Sequence, residues 1–386
     1  TLITNIGEFF TGDLADPVAD VASLLVEDGR IAALDPAPDT ARDRTIDAKG
    51  SAVLPGIIDG HIHPVFGEWT PTQDTIGWIG NYVHGGTTSM VSAGELHLPG
   101  LDYNNLTPEL MTSLALLAKA TTGRIRWSGA KVHAGTLLMV PGMTEEDFDK
   151  VANAGTILTK FLFYPLAPEN EEEAQRYVRW CHERGLRVKV HTGGVSRSGS
   201  NAVCGFETLS WLQPDIAAHV SGGPIPMPDE DLDALVDHTE FALEICSSGN
   251  YRSAIRAVER LTLGTDTPGG TGVLARGMLR NMIFLSSVVG LSAGEVIAVA
   301  TGNTAKAHGL DTGMLRPGMP ADLVIAGRID GSAGTTLTEA IQHGDLPGVS
   351  TVMIDGELVV SGRSEQTPPP QDRATVELTH GCPFCA

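Results

Sequence analysis

The chain has few cysteines and few basic residues, and each shortage excludes a class of protein. Its five cysteines occur in an odd number without regular spacing, which argues against a secreted disulfide framework; they are Cys181, Cys204, Cys246, Cys382 and Cys385. Lys and Arg number 26 against 47 Asp and Glu, and the formal net charge of −21 repels nucleic acid and anionic membranes. We therefore expect no nucleic-acid partner and no membrane partner.

Long apolar runs are also missing from the sequence. No stretch approaches the ~20 residues that a membrane helix needs. Residues 1–5 lack the basic and apolar regions of a signal peptide, so we expect a cytoplasmic protein. The chain has 386 residues, of which 42% are hydrophobic and 19% charged, an ordinary globular composition. That length allows one large barrel-type domain with a small one, or two to three average domains.

Both ends of the chain show the pattern of short strands joined by tight turns. In residues 22–34 and again in residues 350–360, two apolar runs flank a two-residue turn, Asp28-Gly29 and Asp355-Gly356 respectively. An Asp-Gly pair between such runs is a strong hairpin signal. The two hairpins predict β structure at both ends of the chain.

The domain boundaries follow from this pattern. We predict one small β-sandwich domain assembled from residues 1–55 and 312–362. Residues 363–386 are rich in proline and polar residues and predict an extended C-terminal arm.

The middle of the chain, residues 56–311, alternates apolar strands with helical stretches. One helix is predicted over 108–120, with Leu110, Leu114 and Leu117 on its apolar face. Predicted strands cover residues 86–91, 126–133, 157–161, 187–191, 216–219, 241–245 and 261–266. This repeated rhythm predicts an α/β fold with a (β/α)8 TIM barrel.

The most informative motif is His61-Ile62-His63, which ends the apolar run 52–60. Side chains two apart on a strand point to the same face, so two imidazoles there can hold one cation. Alone the pair is a weak signal, but further predicted strands end in side chains that bind metals or bridge them: Lys160, His191, His219 and Asp266. Since the carboxyl ends of barrel strands open onto one face, all six residues are predicted to cluster there.

Each member of this set also has a structural explanation. A single histidine at a strand end is commonly a hydrogen-bonded polar residue, and Asp266 could simply begin a turn. Lys160 is harder to explain in this way, because a buried lysine is unfavourable unless it is neutralised or paired. The prediction of a metal centre therefore depends on the set rather than on any one member.

The residue types indicate two divalent transition metal ions, with zinc first and iron or manganese as alternatives. Two close cations need a bridging anion, and the neutral amine of Lys160 can supply one by adding carbon dioxide to form a carbamate. A shared hydroxide, its pKa lowered by the ions, would be the nucleophile. Asp266 would accept the proton of that hydroxide and deliver it to the leaving nitrogen.

The segment 55–63, together with Lys160, His191, His219 and Asp266, resembles the binuclear amidohydrolase superfamily, which includes dihydroorotase and hydantoinase. Segments 302–305 and 313–323 are similar to the superfamily's link from barrel to sandwich. The resemblance implies that His61, His63 and Asp266 hold the more buried ion, that His191 and His219 hold the more exposed one, and that Lys160 bridges both.

Several stretches further resemble the enamidases within this superfamily: 84–88, 131–133, 143–148, 191–194, 222–224 and 279–282. That resemblance implies hydrolysis of a non-peptide C–N bond in a cyclic amide. Alternatives are another cyclic amide, imide or lactam hydrolase of the hydantoinase or dihydroorotase type, and a non-catalytic scaffold. A deaminase or a mononuclear relative is a third alternative, which Lys160 disfavours because a single ion needs no bridge.

Loops after the predicted strands provide candidates for substrate binding, namely His133, Thr192, Arg197 and Asn250. A purely structural loop role is the alternative for each of them. A small cyclic amide is the predicted partner, together with further copies of the chain in a homo-oligomer, either a dimer or a tetramer. The terminal pair Cys382 and Cys385 could bind metal, or could belong to an ordinary tail.

Overall fold

The computed structural model of the chain describes residues 1–64, 78–98, 100–124, 129–194, 203–220, 225–246, 254–268 and 272–378. The strands are β1 Leu2–Thr4, β2 Glu8–Phe10, β3 Val18–Ala19, β4 Leu24–Glu27, β5 Arg30–Leu34, β6 Arg44–Asp47, β7 Ala52–Pro55, β8 Ile57–Ile62, β9 Thr87–Ser92, β10 Lys131–His133, β11 Leu137–Met139, β12 Leu158–Phe161, β13 Arg187–His191, β14 Ile216–Ala218, β15 Ala242–Ile245, β16 Leu261–Leu263, β17 Leu323–Gly327, β18 Gly348–Ile354, β19 Glu357–Val360 and β20 Thr375–Leu378.

Helices lie mainly between the strands of the middle segment. They are α1 Trp78–His84, α2 Pro108–Thr122, α3 Glu145–Asn153, α4 Glu171–Glu183, α5 Phe206–Leu212, α6 Asp229–His238, α7 Gly277–Ser287, α8 Ala293–Ala298, α9 Thr304–His308 and α10 Leu337–His343. Short 3₁₀ segments cover Pro168–Asn170 and Ala254–Arg260, and a π-helical turn, Val299–Asn303, joins α8 to α9.

Two parallel sheets form the middle of the molecule. One has the strand order β10-β9-β8 and the other has the order β11-β12-β13-β14-β15-β16. They meet where β8 approaches the end of β16: the Asp266 amide donates to the His61 carbonyl at 2.8 Å, and the His63 amide donates to the Thr267 carbonyl at 2.7 Å. The alternating α/β pattern predicted for residues 56–311 is confirmed.

Parallel order explains why these strands are so apolar. Helices cover such a sheet, so both faces of each strand are buried and the sequence shows continuous apolar runs. Every residue of β8 and β9 is buried. Parallel order also brings the carboxyl ends of neighbouring strands together, which positions the side chains that follow them.

Helix α2 confirms one prediction and corrects another. It begins after Thr107, whose hydroxyl accepts from the Leu110 amide, and it covers the predicted segment. Its buried face, however, is formed by Met111, Ala115 and Ala118, while Leu110 is 41% exposed and Leu117 53% exposed. Only Leu114 of the predicted apolar face is buried, because small side chains allow the helix to pack closely on the sheet.

The chain ends form two further sheets, with the orders β20-β6-β1-β4-β5 and β19-β18-β17-β7-β2-β3. A common core contains side chains from both of them, including Ile46 and Leu24 of the first sheet and Val53 and Leu323 of the second. The predicted hairpins are present as β4–β5 and β18–β19. Strand β20 lies within the segment predicted to be an extended arm, and it pairs antiparallel with β6.

Among the described residues, no helix is both long enough and apolar enough to cross a lipid bilayer.

Candidate metal centre

The six predicted side chains lie together at the carboxyl ends of the parallel strands. His61 is on β8 and His63 directly follows it, Lys160 is on β12, and His191 is the last residue of β13. His219 follows β14 directly, and Asp266 lies three residues beyond β16. Strand order, rather than sequence distance, therefore brings them together.

Short distances connect His61, His63, Lys160 and Asp266. His61 Nε2 lies 3.0 Å from Lys160 Nζ and 3.5 Å from Asp266 Oδ1, and His63 Nε2 lies 3.1 Å from the same carboxylate oxygen. Ring contacts connect the remaining two histidines. The His219 ring centroid is 5.4 Å from that of His61 and 4.4 Å from that of His191.

Two members of the cluster have an unusual backbone conformation. His219 has φ of 40° and Asp266 has φ of 55°, in the left-handed region that side chains other than glycine rarely occupy. Such conformations cost of order 1–3 kcal/mol each and tend to occur at functional sites. Here they turn the chain directly after β14 and three residues beyond β16, so that both side chains face the cluster.

Burial controls the protonation of these groups. It lowers the pKa of His61 and of His191 well below the usual 6.5, so both imidazoles are neutral near pH 7. Burial also lowers the pKa of Lys160 from 10.5 to about 8. Neutral imidazoles and an amine that is partly neutral are the forms that bind a metal ion and react with carbon dioxide.

The side chains fit a divalent metal. One ligand atom each from His61, His63 and Asp266 lies within 4.8 Å of the others, the spacing of groups that share a cation. His191 Nε2 is buried and has no hydrogen-bond partner among the described residues, so a ligand in the centre would satisfy it. Two imidazoles and a carboxylate suit zinc, iron or manganese.

A second group, His61, Glu244 and Cys246, meets the same distance criterion. Both Glu244 carboxylate oxygens in this group already have partners, His61 Nδ1 and the Lys189 ammonium. Burial also raises the pKa of Cys246 well above 9, which keeps it a thiol rather than the thiolate that binds metals. Of the two groups, the chemistry of the side chains therefore favours His61, His63 and Asp266 as the candidate metal site.

The four candidate substrate residues have different surroundings. His133 ends β10 and is half-buried, and burial lowers its pKa to about 4. Thr192 is buried, and its hydroxyl donates to the Ala218 carbonyl at 2.8 Å, which links β13 to β14. Arg197 and Asn250 lie outside the described residues. Substrate contact therefore stays a prediction for all four.

Residues that the sequence analysis did not single out surround the cluster. Glu244 and Lys189 are buried behind His61, and Asp59 accepts from the Thr265 amide and hydroxyl. A strand-period signal was available for Lys189, which lies two residues before His191 on the same face of β13. Glu244 has no such marker, because its strand ends in no predicted ligand.

Comparison with known proteins identifies the family of the chain. Residues 52–359 match the family model described as "Amidohydrolase family". The chain is 37% identical to enamidase from Eubacterium barkeri over 388 aligned residues, which cover 97% of this chain and 99% of the relative. Its fold resembles the crystal structure of enamidase with a TM-score of 0.91 and 36% identity, covering 98% of this chain and 100% of the other.

Two further proteins are similar over part of the sequence or in fold alone. An imidazolonepropionase from Paenarthrobacter aurescens is 29% identical over 218 residues, which cover 50% of this chain and 53% of the relative. An atrazine chlorohydrolase from Arthrobacter aurescens is similar in fold alone, with a TM-score of 0.63 and 17% identity over 95% of this chain and 96% of that chain. The family model and the near full-length similarity lead to one conclusion: the chain belongs to the amidohydrolase family.

Proposed function

We propose that this chain hydrolyses the C–N bond of a cyclic amide, as an enamidase, with two divalent transition metal ions. The proposal rests on one observation, which is that the six predicted side chains lie together in one largely buried cluster. The similarity to enamidase over nearly the whole chain supports the reaction class.

The fold that we propose for this activity is a (β/α)8 barrel beside a β-sandwich. In that assignment β10 and β11 form one interrupted strand, and the contact between β8 and β16 closes the ring of eight. The shared core of the two terminal sheets supports the sandwich. Residues 56–311, 1–55 with 312–362, and 363–386 remain the proposed barrel, sandwich and arm.

Each residue of the cluster has a role in the proposal. His61, His63 and Asp266 would hold one ion, and His191 and His219 the other. Lys160 would bridge them as a carbamate, which its place 3.0 Å from His61 Nε2 supports. When bound, the ions would lower the pKa of a water molecule and polarise the amide carbonyl. Zinc is the first choice, with iron or manganese as alternatives.

Asp266 is the proposed proton carrier. Its carboxylate lies 3.1 Å from His63 Nε2 and its side chain is 26% exposed, so it contacts the cluster and is also accessible to solvent. There it would accept a proton from the attacking water and deliver it to the ring nitrogen that leaves. Neighbouring buried groups would exclude bulk water from this transfer.

Metal analysis is the first test. Purified chain should contain, or take up, close to two equivalents of zinc, iron or manganese. Removal by a chelator should abolish hydrolysis and lower the thermal midpoint, because an ion that binds only the folded chain stabilises it. A chain that neither contains nor takes up a transition metal would refute the proposal.

Substrate class is the second test. Metal-loaded chain should be offered a panel of ring amides: tetrahydro-6-oxonicotinate, dihydropyrimidines, hydantoins and lactams. Turnover of the nicotinate derivative is expected. Activity on a different ring alone would keep the cyclic-amide reaction but reject enamidase as the model, and metal binding without any turnover would favour the scaffold.

We also propose a homo-oligomer, a dimer or a tetramer. The exposed Leu110 and Leu117 on α2 offer apolar surface for a contact between subunits. Light scattering should give a mass of two or four times 40.6 kDa. A monomer at micromolar concentration would refute the proposed homo-oligomer.

A further inference from the structure

A closed ring of buried polar contacts lies behind His61. The Lys189 ammonium donates to the Gly60 carbonyl at 2.7 Å and pairs with Glu244 Oε2 at 2.5 Å. The other oxygen of Glu244 lies 2.5 Å from His61 Nδ1. The peptide between Gly60 and His61 closes the ring, and the side chains of His61, Lys189 and Glu244 are completely buried.

This ring determines which nitrogen of His61 faces the cluster. A carboxylate only accepts hydrogen bonds, so the His61 Nδ1 beside Glu244 must carry the proton and donate it. The lone pair of a neutral imidazole is then on Nε2, which points toward Lys160 and Asp266. That nitrogen is the one the proposed metal requires.

His63 provides an internal contrast. Its Nδ1 lies 2.7 Å from the backbone carbonyl of Gly94, so a main-chain group orients this ring. No substitution removes a carbonyl, whereas Glu244 can be replaced. Of these two rings, His61 is therefore the one whose orientation depends on a side chain.

The ion pair is unfavourable as a packing element. Barrel interiors are filled mainly by branched aliphatic side chains. The hydration free energy that two charges lose on burial is commonly larger than the free energy of attraction between them. A protein with a well-packed apolar pair in their place is therefore often at least as stable. Lys189 and Glu244 therefore need a reason other than stability, and contact with His61 supplies it.

We propose that Glu244 is a positioning residue for the metal centre, and that Lys189 holds the Glu244 carboxylate against His61. This proposal rests on the proposed metal-dependent function. Glu244 touches no reacting atom; it acts by keeping His61 Nε2 directed at the ion. Lys189 fixes both ends of the ring by binding the carboxylate and the Gly60 carbonyl.

Cobalt(II) binding to the full-length, metal-free chain tests the proposal. Affinity for each ion would be measured by competition with a chromophoric chelator, and ligand geometry by the visible absorption of bound cobalt. Glu244→Leu should weaken the binding of one ion by roughly 10–100-fold and change its spectrum, with the other ion little affected. Glu244→Gln should weaken the binding of that ion less than Glu244→Leu does, because the amide oxygen of glutamine still accepts from His61 Nδ1.

Two further variants separate positioning from folding. Glu244→Leu combined with Lys189→Met removes the unpaired charge and should fold like the wild type while keeping the weakened ion binding. Lys131→Met breaks a different ion pair, with Asp322, and should leave cobalt affinity unchanged. If neither Leu variant folds, Glu244→Gln decides alone.

The outcomes are distinct. The positioning role would be overturned if a folded Glu244→Leu or double variant bound cobalt with wild-type affinity and spectrum. Where neither of these variants folds, the same result in Glu244→Gln would overturn it. Either result would leave the proposed function intact. Failure of the wild-type chain to bind cobalt at all would refute the proposed metal-dependent function and with it this inference.

Discussion

At the scale of single residues, the cluster depends on backbone conformations that most side chains avoid. His219 and Asp266 both have positive φ values, and each follows a short strand. Asp and Asn accept this conformation better than other residues that carry a Cβ. The identity of residue 266 therefore matters twice, once for its carboxylate and once for its backbone.

Substitution of Asp266 separates these two contributions. Asp266→Asn should keep the fold but lower kcat by about 10²–10⁴-fold, because the amide accepts no proton. Asp266→Ala should be as inactive and also less stable by about 1 kcal/mol, since alanine is strained there. Kinetics of the metal-reconstituted variants and thermal midpoints measure both effects. Equal stability of the two variants would contradict the backbone argument.

A second prediction at this scale concerns Glu95, a carboxyl group that is 3% exposed and accepts from the Gly135 amide at 2.9 Å. Burial raises the pKa of Glu95 from 4.5 to about 7. Between pH 4.5 and pH 7 the folded chain keeps the Glu95 proton that the unfolded chain releases. The contribution of Glu95 to the free energy of unfolding is therefore fully present below pH 4.5 and falls as the pH rises to 7. The loss is of the order of 3 kcal/mol.

Glu95→Gln should remove this slope. Urea unfolding should be measured at pH 5, 6, 7 and 8. The free energy of unfolding of the variant should rise relative to that of the wild type up to pH 7, and the difference should stay constant above pH 7. The exposed Glu357→Gln is the control and should leave the slope as it is. Parallel curves for Glu95→Gln and wild type would contradict the prediction.

At the scale of elements, the close approach of β8 and β16 aligns the ligands. Gly264 follows β16 and faces His61, and a Cβ added there would lie 2.5 Å from the His61 Cβ and 2.9 Å from its amide nitrogen. Neither neighbour can give way without moving β8. The absence of a side chain at residue 264 is therefore part of the site geometry.

Gly264→Ala should force the two strands apart. We expect a loss of roughly 1–3 kcal/mol in the free energy of unfolding, as for other overpacked positions, together with weaker zinc binding. The matched control is Gly123→Ala at the end of α2, where φ is −62° and the nearest atom would be 3.4 Å away. That variant should be neutral or slightly stabilised.

At the scale of the whole molecule, a charge network around the buried Asp322 joins the middle segment to the terminal sheets. Lys131 of β10 donates to both carboxylate oxygens of Asp322, at 2.9 and 2.7 Å, and to Asp355 at 2.7 Å. Asp322 is 2% exposed and also accepts from the Thr312 hydroxyl. The network connects segments about 190 residues apart in the chain.

Lys131→Met should leave the Asp322 carboxylate buried without its cation. We expect a loss of roughly 2–3 kcal/mol in the free energy of unfolding, seen in denaturant titration of the metal-free chain. Cobalt affinity should not change, because no hydrogen bond or ion pair of this network involves a member of the six-residue cluster. A loss of metal binding in this variant would mean that the two regions are energetically coupled.

Much of the site could be predicted because its signal is local. His61 and His63 lie two apart at the end of an apolar run, and Lys160 interrupts another such run. The family that these motifs indicate is confirmed by the match over residues 52–359. The α2 face was partly wrong, since spacing alone does not tell which of two stripes, Leu110 with Leu117 or Met111 with Ala115, meets the sheet.

The sequence alone determined which residue types end the strands, and hence the chemistry available to the chain. Strand periodicity and the strong turn signals are properties of neighbouring residues, so they can be read without coordinates. Tertiary structure alone decided that Glu244 and Lys189 close a ring on His61, and that Gly264 lets β16 reach it. These contacts are made between residues 55 to 203 positions apart in the chain, and only the packing of the strands brings them within contact distance.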